Sequence, residues 1–190
     1  MPHSKLLLTL GLLLSPTVAL AHTGHDHAGL LAGLAHPLLG LDHLLAMLAV
    51  GLWAAQQPGH GRWLLPLSFV LSMLVGGLLG FNAVQWPVLE GAISTSVLAL
   101  GLLVALAVRL PLALASALCA LFALSHGLAH GLELPSAASP WAYAAGFVAA
   151  TALLHAGGYA LVRYLPTAAA PLVRIAGMGT AGAGLWWLVS

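Results

Sequence analysis

The chain alternates runs of about twenty apolar residues with short polar or proline-rich breaks. The breaks fall at residues 56–59, 82–87, 110–111, 135–140 and 166–171. Between them lie six apolar segments, 30–55, 63–81, 88–108, 111–134, 141–164 and 168–189. At 1.5 Å per residue each helix would come close to spanning the ~30 Å of hydrocarbon in a bilayer. The runs are continuously apolar and rich in Leu and Ala instead of alternating with period two, which favours helices over a membrane β-barrel. The pattern predicts an all-α integral membrane protein. It is a polytopic bundle of about six transmembrane helices in a single domain over 30–190, because the connections are too short to hold another domain.

Composition agrees. Of 190 residues, 61% are hydrophobic and 5% charged, with a mean hydropathy of +1.04. So few charges would not cover the surface of a soluble domain. Lys5, the apolar stretch 6–14 and Ala19-Leu20-Ala21 read as a secretory signal peptide over 1–21, removed after Ala21. Cleavage would leave a His-rich tail over 22–29, with His22, His25, Asp26 and His27 outside the membrane. Lys5 is the only lysine, so the mature chain cannot carry a P-loop and would not use ATP with its own residues. The lone Cys119 excludes an intrachain disulfide framework and a cysteine-cluster metal site.

The arginines orient the bundle. Arg62 lies between the first and second segments, Arg109 between the third and fourth, and Arg163 and Arg174 flank the loop between the fifth and sixth. Alternate loops are thus basic and predict a cytoplasmic side, with both termini periplasmic. Asp26, Glu90 and Glu133 fall toward the opposite face. Ser72, Gly76 and Gly80, and Gly177 with Ala181, recur every four positions. Such stripes let helices approach closely, within the chain or in an oligomer. Trp53, Trp63, Trp86, Trp141, Trp186 and Trp187 lie near segment ends, as an interfacial belt would.

Two polar strings interrupt this apolar background: His36-Pro-Leu-Leu-Gly-Leu-Asp42-His43 and His126-Gly-Leu-Ala-His130-Gly-Leu-Glu133. Burying such groups costs a few kcal/mol each unless they are paired or bound, so an intramembrane ionisable residue marks a functional site by default. In a continuous helix His36, Gly40, His43 and Met47 would form one stripe, with Asp42 about 100° away. Pro37 removes a helix donor, and a distortion over 37–40 would turn Asp42 inward. His126, His130 and Glu133 share a stripe on the fourth segment, with Cys119 two turns below, and the depths of the two strings match if the helices are antiparallel. His155 falls near the midplane of the fifth segment. A lone histidine there reads equally as a hydrogen-bond partner of a helix carbonyl. Neutral imidazole suits nickel, cobalt, copper or zinc, whereas calcium or magnesium would need an oxygen cage. The metal candidates are therefore His36, Asp42, His43, His126, His130 and Glu133. His155, Met47 and the tail histidines His22, His25 and His27 are secondary. Met47 and Cys119 read first as core, and His60 as a solvated loop residue.

At these residues the chain resembles the HupE/UreJ family of bacterial nickel and cobalt permeases. The family's first pattern, a histidine, five residues and Asp-His, is matched by His36, Asp42 and His43. Its second, Phe-His-Gly-x-Ala/Val-His-Gly-x-Glu, is matched by His126-Gly127, His130-Gly131 and Glu133, with Ser125 replacing the phenylalanine. The resemblance implies secondary transport of Ni²⁺, or Co²⁺, across a bacterial inner membrane for hydrogenase or urease maturation. It implies no enzyme activity, no resident cofactor and no nucleic-acid partner; the partners would be the lipid bilayer, the ion and cytoplasmic nickel chaperones. Residue types alone leave two alternatives, an intramembrane zinc hydrolase using Ser125 with the same histidines and a non-transporting metal-binding accessory protein. Competition between protons and metal for imidazoles of ordinary pKa ~6.5 predicts uptake that falls between about pH 7 and 5.

Overall fold

A computed structural model of the protein describes residues 25–134 and 139–190. The leader over 1–21, His22 and the break at 135–138 lie outside the described residues. Seven α-helices follow in order: α1 (His25–Leu39), α2 (Leu41–Gln56), α3 (Gly61–Phe81), α4 (Leu89–Ala105), α5 (Leu112–Leu132), α6 (Pro140–Tyr164) and α7 (Ala170–Val189). Four spans are long and apolar enough to cross a membrane: 61–81, 112–132, 140–164 and 167–189. The α1–α2 pair makes a fifth if it is taken as one broken span, and α4, at 17 residues, is shorter. The outward faces of these helices carry Leu67, Leu71, Leu78, Leu121, Leu153 and Ile175. This hydrocarbon exterior is what lipid requires.

The main correction concerns the first apolar segment. It is not one helix: the chain bends by 83° between α1 and α2. Pro37 deprives the last turn of α1 of a donor, and Gly40 then sits in extended conformation (φ −90°, ψ 111°) while its carbonyl accepts from Leu44 N at 2.9 Å. The predicted single stripe of His36, Gly40, His43 and Met47 therefore does not exist. Helix α1 begins at His25, inside the stretch 22–29 expected to form the His-rich tail.

Small residues set the packing, and they do so inside the chain. A methyl group at Gly76 or Gly80 would collide with the backbone of Leu124 or Leu128, and one at Gly127 or Gly131 with that of Met73 or Gly77. Helices α3 and α5 thus run parallel in backbone contact, with Ser72 Oγ donating to Ala120 O at 2.6 Å. Gly177, Ala181 and Gly184 mesh with Gly101 and Leu98, locking α4 antiparallel to α7. Gly33 and Gly146 bring α1 against α6, and Gly51 and Gly158 bring α2 against α6, so one helix supports both halves of the broken pair.

Trp53 also departs from expectation. It is fully buried, and its indole N–H donates to Val108 O at 2.8 Å, whereas Trp63, Trp141 and Trp186 face outward. Because Val108 is also reached from Gln57 Nε2 at 2.9 Å, α2 is pinned to the α4–α5 turn. Arg62, Arg109, Arg163 and Arg174 all lie at this end of the bundle, at the starts of α3 and α7, after α4 and at the end of α6. The histidine strings lie in the opposite half.

Candidate metal centre

The break at Gly40 builds the site. In a straight helix His36 and His43 would stand about 10 Å apart along one face. The bend instead lets them reach one imidazole from two sides. His130 lies with its ring centroid 4.7 Å from His36 and 4.2 Å from His43, and His43 lies 4.6 Å from His126. The four rings form a continuous line, His36–His130–His43–His126, joining α1, α2 and α5. His43, His126 and His130 are buried; His36 is half-buried at the open end. Glycines permit this approach. At Gly40 a Cβ would press on Asp42 Oδ1 at 3.0 Å and His43 Nδ1 at 3.4 Å.

Hydrogen bonds decide which nitrogen of each ring carries the proton. An ionised carboxylate only accepts, so His43 Nδ1–H donates to Asp42 Oδ1 at 2.8 Å and leaves Nε2 as a free lone pair. His36 Nε2–H likewise donates to Glu133 Oε2 at 2.9 Å. Ser96 Oγ donates to Ile93 O at 2.7 Å, so its contact with His126 Nε2, also 2.7 Å, takes the ring's proton. His126 Nδ1 is then unpartnered. His130 has no partner on either nitrogen; Phe147 packs on it at 3.9 Å. The free nitrogens of His43, His126 and His130 are thus buried without a hydrogen-bond partner. A buried polar atom left this way forfeits about 1–3 kcal/mol, and a cluster of them calls for a ligand.

The candidate residues divide by position. His36, His130 and Glu133 each offer a ligand atom, all within 4.8 Å of one another. Asp42 sits against His43 and also accepts from the His43 backbone N–H at 2.7 Å, the place of an orienting carboxylate behind a ligating imidazole. His155 is buried deeper, and the helix-carbonyl partner considered for it is absent: both of its nitrogens are unpartnered. Met47 is fully buried one turn below His43. Cys119 is buried on α5, and His60 is exposed. His25 and His27 belong to the first turn of α1.

Three further residues, none of them singled out by the sequence pattern, complete the site. Ser96 comes from α4, and its only trace in the sequence is the run Ser94-Thr95-Ser96 within an apolar helix. Tyr143 and Phe147 of α6 wall the cluster, with Tyr143 5.8 Å from His36 and its hydroxyl unpartnered. His130 also borders an almost wholly apolar cleft of about 320 Å³ between α3, α5 and α6.

Comparison with known proteins supplies the remaining context. The profile of the HupE / UreJ protein family matches residues 10–187. Protein HupE of Rhizobium leguminosarum bv. viciae is 44% identical over 190 residues, covering 100% of both chains. No solved structure matches.

Proposed function

Because the chain belongs to the HupE / UreJ family, we propose that this membrane protein is a permease carrying Ni²⁺, or Co²⁺, inward through the line of imidazoles. The observation that supports it most is the row of unpartnered nitrogens, ending at the half-exposed His36–Glu133 pair. Glu133 and the exposed Glu90 make the mouth electronegative, and the His-rich N-terminal stretch raises the local ion concentration there. The ion first meets His36, Glu133 and His130, whose donors are already within reach of one another. It then moves to the free nitrogens of His43 and His126, held in register by Asp42 and Ser96. Two imidazoles and one carboxylate at this entrance hold a divalent ion without the oxygen cage that would trap calcium or magnesium. Entry toward the arginine-lined cytoplasmic face is favoured by the membrane potential at ~2.3 kcal/mol per charge per 100 mV. Six crossings with both termini outside, counting the α1–α2 pair and the short α4 as one each, complete the proposed topology. Nickel delivered this way would serve hydrogenase or urease maturation.

The test is radiometal uptake into proteoliposomes by the wild type beside His36→Ala, Asp42→Asn and His130→Ala. Loss of Ni²⁺ uptake in all three is expected; uptake equal to wild type in His130→Ala would sink the proposal. Uptake should also decline on acidification, because only neutral imidazole ligates; uptake that survives acid unchanged would count against imidazole capture. The apolar cleft beside His130 is the one feature that favours a hydrolase of acyl substrates. Against that reading, the Ser125 hydroxyl donates to Phe122 O at 2.7 Å within its own helix. Hydrolysis of a lipid amide by the purified protein, lost in Asp42→Asn, would reverse the ranking.

A further inference from the structure

We propose that Met47, Met73 and His155 form a second ion station, built from soft uncharged donors, one to two helical turns deeper than the histidine cluster. The three residues come from α2, α3 and α6, and each is at most 3% exposed. The two thioethers converge on one hydroxyl: Thr151 Oγ1 lies 3.3 Å from Met47 Sδ and 3.8 Å from Met73 Sδ. His155 stands one turn beyond Thr151 on α6, with neither ring nitrogen partnered. Phe69 links the two levels, 6.0 Å from the ring of His126 above and 5.2 Å from that of His155 below.

Ordinary core packing accounts for two methionines beside a threonine. It does not account for an imidazole sealed from water with two idle nitrogens, which native interiors avoid. Thioether and imidazole together favour soft and late transition ions. No carboxylate of the described residues is placed with this group, so a divalent ion there would lack counter-charge and be held weakly, as a step on the way out requires. A soft monovalent ion would carry half the uncompensated charge and meet preferred donors. Ag⁺ should therefore lodge at this station and block passage. The role on the route rests on the transport reading above; the ligand set does not.

The probe is Ag⁺ on the full-length protein carrying Cys119→Ser, which removes the competing thiol. X-ray absorption at the silver edge should show a shell of two sulfurs with nitrogen, lost in Met47→Leu/Met73→Leu. That pair conserves volume and is tolerated in most cores. In proteoliposomes the same pair should lower Ni²⁺ uptake about 10-fold and raise the Ag⁺ concentration for half-inhibition by about 10-fold or more. A silver shell without sulfur, or one unchanged by the double substitution, overturns the station. Wild-type uptake in the double variant overturns its place on the route. If the wild type carries no Ni²⁺ yet shows the two-sulfur shell, the station stands as a binding site and the permease reading falls.

Discussion

The two halves of the bundle bury polar side chains to opposite ends. At the arginine end the donors are spent on backbone carbonyls. Trp53 and Gln57 both reach Val108 O, Gln56 Nε2 reaches Val104 O at 3.1 Å, and Arg174 Nε reaches Ala105 O at 3.0 Å. Among the buried side-chain atoms of the described residues, the amide oxygens of the two glutamines stay unpaired there. In the histidine half the second atom of each bonded imidazole is held by Asp42, Glu133 or Ser96, and the remaining lone pairs are left open. One half uses buried polarity to fix the chain; the other fixes its polar groups so that they stay available. The same chemistry therefore stabilises at one end and costs stability at the other.

Substitutions can break that contrast. The largest effect is expected from His130→Leu, which removes two idle nitrogens at similar volume. Ni²⁺ binding measured by titration calorimetry should weaken about 100-fold, while the thermal midpoint holds or rises, as when activity is traded for stability. A fall in midpoint would mean that His130 is a structural residue. At the other end, Trp53→Phe should cost about 2 kcal/mol of stability through the lost hydrogen bond and looser packing, with metal affinity unaltered. Ser96→Ala should lower affinity about 10-fold by releasing the tautomer of His126, with little change in the melting curve; equal affinity would show that the serine does not orient the ring. The smallest effect is expected at Ala107, which has φ 50°. Its N–H bonds Val104 O at 3.1 Å, and the next N–H bonds Leu103 O at 3.0 Å, closing α4 in a Schellman motif with alanine where glycine is preferred. Ala107→Gly should gain about 1 kcal/mol; no gain would indicate a relaxed turn.

Much of the site was legible because its residues are costly in lipid. His36, His43, His126, His130 and Glu133 stand out in an apolar chain, and the structure brings these five together. Ser96 did not stand out, since a hydroxyl can satisfy itself within its own helix and nothing in the sequence links it to an imidazole 30 residues away. Trp53 was misread for a related reason. An indole near a segment end faces either lipid or a neighbouring carbonyl, and only the position of Val108 decides between them. Ala83 (φ 57°) and Ala107 carry helix ends in a conformation that glycine would have announced.

By itself the sequence determined that the chain forms apolar helices, that small residues would mesh them, and which side chains were too polar to be left idle. These follow from local composition and period, which act along one segment at a time. Tertiary structure alone decided that the distortion expected over 37–40 is a full break of 83°, which rings meet, and which nitrogen of each is free. Those outcomes depend on contacts between helices far apart in the chain, where α6 supports both halves of the break and α4 lends a hydroxyl to α5.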